Sequence, residues 1–249
     1  MAVSRKEIVK FCEELLETKK FEDYCHNGLH VEGTDMIDKI ITGVSLSKKL
    51  IEAAIEKKAQ MIIVHHGLFG NQIENPPVIK GVFKNRLKML LEHDINLLGF
   101  HLPLDAHDEI GNNISLCQLL GVNYLEPVEI GFVGEIEESM KFTDFDKLVN
   151  EKLKTKTIVL ANGPERVKKI GIVSGGSSFD IHQFADYGID TFVCGDLREN
   201  TVREVEELGI NFINAGHYNT EKLGIQNLGE EIADKFKVDV EFVDIPNDV

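Results

Sequence analysis

Short apolar runs alternate with segments of helical period along most of the chain. Ile40-Ile41-Thr42-Gly43-Val44 reads as a buried strand, and 47–58 as a helix with Ser45 or Ser47 as N-cap. A strand at 61–64 comes next, then a helix over 82–93 and a strand over 95–100. Asn112 or Asn113 caps a helix that runs to Leu120 and stops at Gly121. In the second half, strands are expected at 169–173, 191–194, 210–214 and 238–243, with helices near 179–187, 200–208 and 220–236. Near the N-terminus Ile8, Phe11, Cys12 and Leu15 recur at helical spacing between Glu and Lys. That pattern is an amphipathic surface helix, not the apolar stretch of a secretory signal. Short strands alternating with helices imply an α/β fold with largely parallel pairing.

The spacing suggests two related halves. Gly43-Val44-Ser45 lies nineteen residues before Val64 (64 − 45), and Ile172-Val173-Ser174 nineteen before Val193 (193 − 174). The next strand in each half leads to a histidine, His101 or His217. We read a divergent internal repeat of a β-α-β-α-β unit; a chance match between two ordinary α/β segments is the alternative. The expected organisation is a first α/β lobe over 1–123, an inserted linking segment over 124–165 and a second lobe over 166–249. The final elements are free to pack with the first lobe. Ligands of open α/β sheets collect beyond the carboxyl ends of strands, so a site in the cleft between the lobes is expected.

Composition narrows the function classes. The 249-residue chain is 43% hydrophobic and 28% charged, as soluble globular domains are. Its formal net charge of −15 disfavours nucleic-acid binding, which needs a positive surface against phosphates. The densest basic spot, Arg166 with Lys168-Lys169, reads as a solvated face. No apolar run approaches membrane-spanning length. Cys12, Cys25, Cys117 and Cys194 form no CxxC pair, so free thiols in a reducing, cytoplasmic setting are expected.

The chemistry concentrates in three stretches that each follow a strand: Val64-His65-His66-Gly67, His101-Leu102-Pro103-Leu104-Asp105-Ala106-His107, and Gly216-His217-Tyr218-Asn219-Thr220-Glu221. Neighbouring side chains of a regular strand point to opposite faces, so His65 and His66 suit two metal ions better than one. Asp105 is expected in a loop stiffened by Pro103. His217 and Glu221, four apart, share a face if a helix begins at Tyr218. Taken together, His65, His66, Asp105, His217 and Glu221 offer three imidazoles and two carboxylates. With a bridging carboxylate, each of two divalent ions keeps about three protein ligands and open positions for water, as hydrolysis requires. His101 and His107 are catalytic candidates that could also ligate or support a ligand. Zn, Fe, Mn, Ni and Co all suit these donors. The run Ser174-Gly175-Gly176-Ser177-Ser178 is either an anion cradle or a plain connection.

On these motifs, with Asn27-Gly28-Leu29, Gly111-Asn112-Asn113 and Cys194-Gly195-Asp196, the chain resembles the NGG-interacting-factor-like family, also labelled GTP cyclohydrolase I type 2 homologues. The resemblance implies two interlinked lobes, a two-metal site carried by His65, His66, Asp105, His217 and Glu221, and a homohexamer. In one departure, Cys25-His26 stand where the family often carries an acidic residue; His26 and His30 are read as exposed loop histidines. The expected function is a dinuclear metal-dependent hydrolase acting on a nucleotide or related small molecule. The alternative is a non-catalytic metal-binding, metal-delivery or scaffold protein.

Overall fold

The runs at 40–44, 61–64 and 95–100 are apolar on both faces, and they pair side by side as buried parallel strands do. In the computed structural model, which describes residues 2–70, 78–247 and 249, the chain order begins β1 (Val3–Ser4), α1 (Arg5–Leu15), β2 (Gly28–Val31), β3 (Met36–Ile37), β4 (Lys39–Ser45), α2 (Lys48–Glu56), β5 (Met61–His66), α3 (Gly81–Glu92) and β6 (Asn96–Gly99). It continues with α4 (Leu102–Ala106), α5 (Asn112–Leu120), β7 (Val122–Val128), β8 (Gly131–Lys141), α6 (Phe142–Leu153), β9 (Ile158–Ala161), β10 (Arg166–Ile172), α7 (Ile181–Ala185), β11 (Thr191–Cys194), α8 (Glu199–Leu208) and β12 (Asn211–Asn214). The last elements are α9 (His217–Thr220), α10 (Lys222–Phe236) and β13 (Asp239–Phe242). The fold is mixed α/β.

The chain forms two compact units, Met1–Leu104 with Ile225–Ile245, and Asp105–Gly224 with Pro246–Val249. In the first, the sheet order is β13-β4-β5-β6-β2, parallel except for β2. Ile41, Ile62, Val64 and Leu97 meet Leu50, Ile51, Ala54 and Leu90 from α2 and α3 in one core. Each buried Ile, Val or Leu side chain contributes about 1.5–3 kcal/mol relative to exposure. Ser47, not Ser45, caps α2: its hydroxyl accepts from the Leu50 N–H at 3.2 Å. Gly43 is needed beneath that helix, because a Cβ there would lie 2.9 Å from Leu50 Cδ1.

In the second unit the order is β7-β8-β10-β11-β12-β9, with β10, β11 and β12 parallel and the others antiparallel to their neighbours. Strand alternation divides its residues between two cores. Ile172, Val193 and Ile213 face Leu116, Phe145 and Val149 of α5 and α6. Phe192, Cys194 and Phe212 face Ile181, Phe184 and Val205. The segment 124–165 gives this sheet most of β7, all of β8 and β9, and the helix α6.

Four local expectations change. The strand expected at 61–64 continues through His66, which pairs with Ser45. Leu102–Ala106 is a short helix, not a loop, because the fixed φ and missing N–H of proline suit a first helical turn. The N-cap of α5 is Gly111, not Asn112 or Asn113, whose amides are engaged elsewhere. The helix expected over 220–236 is interrupted at Glu221, with φ −112. Among the described residues, no helix is long and apolar enough to cross a membrane.

Candidate metal centre

In the first unit β5 delivers His65 and His66, and the end of β6 delivers His101. His65 is 1% exposed. Its Nδ1 lies 2.9 Å from the Phe100 carbonyl, which can only accept, so the proton sits on Nδ1 and the lone pair on Nε2. His66 Nδ1 lies 3.0 Å from the Ser45 hydroxyl. The pleat separates the two side chains less than a regular strand would: the ring centroids are 4.5 Å apart, and those of His65 and His101 are 5.0 Å apart. One nitrogen from each of the three rings lies within 4.8 Å of the others. Such a group suits a cation, because neutral imidazole is a good metal ligand and packed imidazolium ions repel.

His101 is held by a residue that the sequence reading missed. Its Nδ1–H donates to both Asp23 oxygens, at 3.0 and 3.1 Å. The same carboxylate accepts from Leu102 N–H at 3.0 Å, Cys25 N–H at 2.9 Å and the Asn27 amide at 2.9 Å. Burial alone would raise the Asp23 pKa; hydrogen bonds from His101, Asn27 and Cys25 outweigh it and hold the carboxyl well below the usual range. Asp23 therefore supplies the acid that Cys25-His26 do not. On its other side, His101 Nε2 lies 3.3 Å from the Tyr24 hydroxyl. The Cys25 thiol also comes within 4.8 Å of donor atoms of Asp23 and His101. Cys12, Cys117 and Cys194 are free and buried, and burial pushes Cys194 well above the ordinary thiol range.

His30 is not an exposed loop histidine. Its Nε2–H donates to the His26 carbonyl at 2.8 Å, and its Nδ1 accepts from the Leu68 and Phe69 N–H groups at 3.0 and 3.2 Å. Burial pushes it down to about 4. The ring fits only because its neighbours are glycines: a Cβ on Gly99 would lie 2.7 Å from His30 Nε2, and one on Gly67 would overlap Cε1. Gly67 after the His-His pair is thus a packing requirement. His26 is exposed, as expected.

In the second unit Asp105, 3% exposed, accepts on Oδ1 from the Asn112 amide at 2.8 Å and the Ser174 hydroxyl at 3.0 Å. Asn112 in turn accepts from Gly224 N–H at 2.7 Å. His217 Nε2 and Glu221 Oε1 are 3.0 Å apart despite the helix break between α9 and α10. A carboxylate oxygen of Asp105 and one of Glu221 lie within 4.8 Å of each other. Two buried carboxylates so close repel unless a proton or cation offsets them. Gly175, at φ +65, passes directly under Glu221, and any Cβ there would overlap its Oε1.

The loop 174–178 supports these groups instead of cradling an anion. Four of its five N–H groups already have protein acceptors: Ser174 to Asn113, Gly175 to Thr220, Ser177 to the Gly175 carbonyl and Ser178 to the Asp196 carboxylate. His107 is a turn residue. Its Nδ1 accepts from Glu109 and Ile110 N–H at 3.2 and 3.3 Å, closing a turn, and among the described residues no metal-capable group includes it.

The profile of the family described as Duf34/NIF3 (NGG1p interacting factor 3) matches residues 3–248. A Haemophilus influenzae protein named GTP cyclohydrolase 1 type 2 homolog is 43% identical over 247 residues, covering 97% of this chain and 98% of its own. The solved structure of protein ybgI, described as of unknown function, is similar at a TM-score of 0.96 and 38% identity, over 99% of this chain and 100% of that one. That of TTHA1606 from Thermus thermophilus is similar at a TM-score of 0.91 and 31% identity, over 99% and 100%.

Proposed function

The chain belongs to the Duf34/NIF3 family, and we propose on that basis that it is a dinuclear divalent-metal protein that hydrolyses a nucleotide or related small molecule. The observation that carries the reading is the three-imidazole group of His65, His66 and His101, one nitrogen of each within 4.8 Å of the others. The donor set is His65, His66, Asp105, His217 and Glu221, loading as one centre with two ions, and His101 stands beside the His65–His66 pair as the imidazole that handles protons. When bound, such ions supply Lewis acidity for hydrolysis.

The remaining chemistry belongs to the protein. Asp23 keeps the proton on His101 Nδ1, so Nε2 is the nitrogen that accepts or returns a proton during the reaction. The Phe100 carbonyl and Ser45 orient His65 and His66, and Asn112 and Ser174 orient Asp105; groups of this kind fix ligand direction and tautomer. His107, whose Nδ1 closes a turn, is the second candidate for proton transfer, through Nε2. The label GTP cyclohydrolase 1 type 2 homolog, carried by a relative, makes a purine nucleotide the first substrate to try. Imidazole and carboxylate donors suit Zn, Fe, Mn, Ni or Co.

Two further readings accompany this one. The chain works as a homohexamer, and its two sheets descend from one repeated unit. In support of the repeat, each sheet contains three successive parallel strands whose last member pairs with an antiparallel strand, β6 with β2 and β12 with β9.

The test is elemental analysis of protein purified without added metal, alongside His66→Ala and Glu221→Ala. One shared centre predicts that each variant loses at least half of the bound metal and all nucleotide hydrolysis. Full metal content in either variant would sink the shared centre. Fully metallated parent protein that turns over no nucleotide or phosphoester would favour the metal-binding or delivery reading.

A further inference from the structure

A second site of different character lies within the first unit, on the sheet face that carries Ile40, Thr42 and Val44. A cavity of about 370 Å³ opens there between α10 and the edge strand β13. Volumes of this order suit small organic ligands. Gln226, Glu230 and Ala233 share one face of α10 at i, i+4 and i+7, and Val240 and Phe242 line the opposite wall. Thr42, from the middle of β4, also lines the cavity. It is 1% exposed, and its hydroxyl has no hydrogen-bond partner among the described residues.

A hydroxyl buried without a partner destabilises the fold, so its retention among isoleucines and valines points to something that hydrogen-bonds it. The helix comes close to the strands at this level. Position 229 is glycine, and a Cβ there would come within 3.2 Å of Val240 Cγ1 and 3.5 Å of Thr42 Oγ1. Charge then selects the ligand. Among the described residues of the lining, Glu230 is the sole ionisable group and no Lys, Arg or His is present, so a phosphorylated or carboxylated molecule is repelled. A pure hydrocarbon would leave the hydroxyl and carboxamides unmatched.

We propose that this groove binds a flat amino-substituted heterocycle, uncharged or singly cationic. The ring lies against Phe242 and Val240, its amino group donates to Glu230, and a ring acceptor takes the Thr42 hydroxyl. The site is independent of the metal reading, because none of its residues belongs to the donor set.

The experiment is a titration of the full-length, nitrogen-15-labelled chain with 2-aminopyridine, followed by amide NMR, with benzoate as the anionic control. Saturable shifts at Gln226, Asn227 and Gly229, and none with benzoate, are expected. Glu230→Gln, an exposed change, should weaken binding about tenfold, as loss of a charge-assisted hydrogen bond does. Thr42→Val keeps the side-chain shape and should weaken it by a similar factor while leaving the protein at least as stable. Shifts centred on His65, His66 or Glu221, equal binding of benzoate, or unchanged affinity in both variants would overturn the proposal. So would the same groove shifts on raising protein concentration alone, since a second copy of the chain would then be the occupant.

Discussion

Gly175→Ala tests whether the backbone of one loop sets the position of a metal ligand. The substitution has two separable costs. At φ +65 an alanine carries about 1 kcal/mol of backbone strain, whatever surrounds it. Its Cβ would also overlap Glu221 Oε1 and approach Glu221 Cδ to 3.0 Å and His217 Nε2 to 3.3 Å. The carboxylate is 3% exposed and cannot move without breaking its 3.0 Å contact with His217. Displacing a supported ligand lowers metal affinity about 10- to 100-fold. By linkage this removes about 1.4–2.7 kcal/mol of metal-induced stabilisation. Urea unfolding of parent and variant, first with chelator and then at a fixed excess of zinc, separates the terms. Backbone strain and the overlap together should cost about 2–4 kcal/mol with chelator, and the difference should widen by about 1.4–2.7 kcal/mol with zinc. If the gap stays the same with and without zinc, Glu221 is not a ligand held in place by this loop.

Three other outcomes follow from the geometry. His30 titrates at about 4 in the fold and near 6.5 when unfolded, so between these values the unfolded chain binds a proton that the folded chain does not. Stability is then fully present above about pH 6.5 and falls by about 3 kcal/mol on acidification to pH 4; the difference in pH slope between parent and His30→Asn in urea unfolding measures it, and equal slopes would refute it. Asp23→Ala removes the acceptor that fixes the His101 tautomer, so the downfield Nδ1–H resonance should vanish from the proton NMR spectrum and any hydrolytic kcat should fall about 10- to 100-fold; a persisting resonance would show that Asp23 is dispensable. Asn112→Ala leaves Gly224 N–H and Asp105 Oδ1 each short of a partner and should cost about 2–3 kcal/mol by denaturant unfolding, whereas a loss below about 0.5 kcal/mol, the usual scale of a neutral surface change, would count against this bridge.

The α/β class and the metal-capable stretches were legible because both rest on local patterns. Apolar runs announce strands, and three His-bearing segments at strand ends are visible without a fold. The groups that orient them were not. Asp23 lies 78 residues from His101 in irregular chain, where no periodicity marks a partner. Asn112 has the residue type and position of a cap, yet its amide meets Asp105 because Gly111 already starts the helix. His30 looked like a loop histidine because the glycines that admit its ring, Gly67 and Gly99, are distant in sequence. The glycine- and serine-rich run at 174–178 has the composition of an anion loop, and only the acceptors already on four of its five N–H groups decide against it.

The first unit is assembled from two separated pieces of chain, with β13 joining the edge of β4 only after residues 105–224 of the second unit have been traversed. During synthesis its parallel sheet therefore waits, one strand short, while the intervening stretch from 105 to 224 leaves the ribosome. At roughly 5–20 residues per second that interval is on the order of ten seconds. The nascent β4 edge stays open to wrong strand partners throughout, so truncation before residue 239 should yield aggregation-prone protein, not a shorter soluble domain.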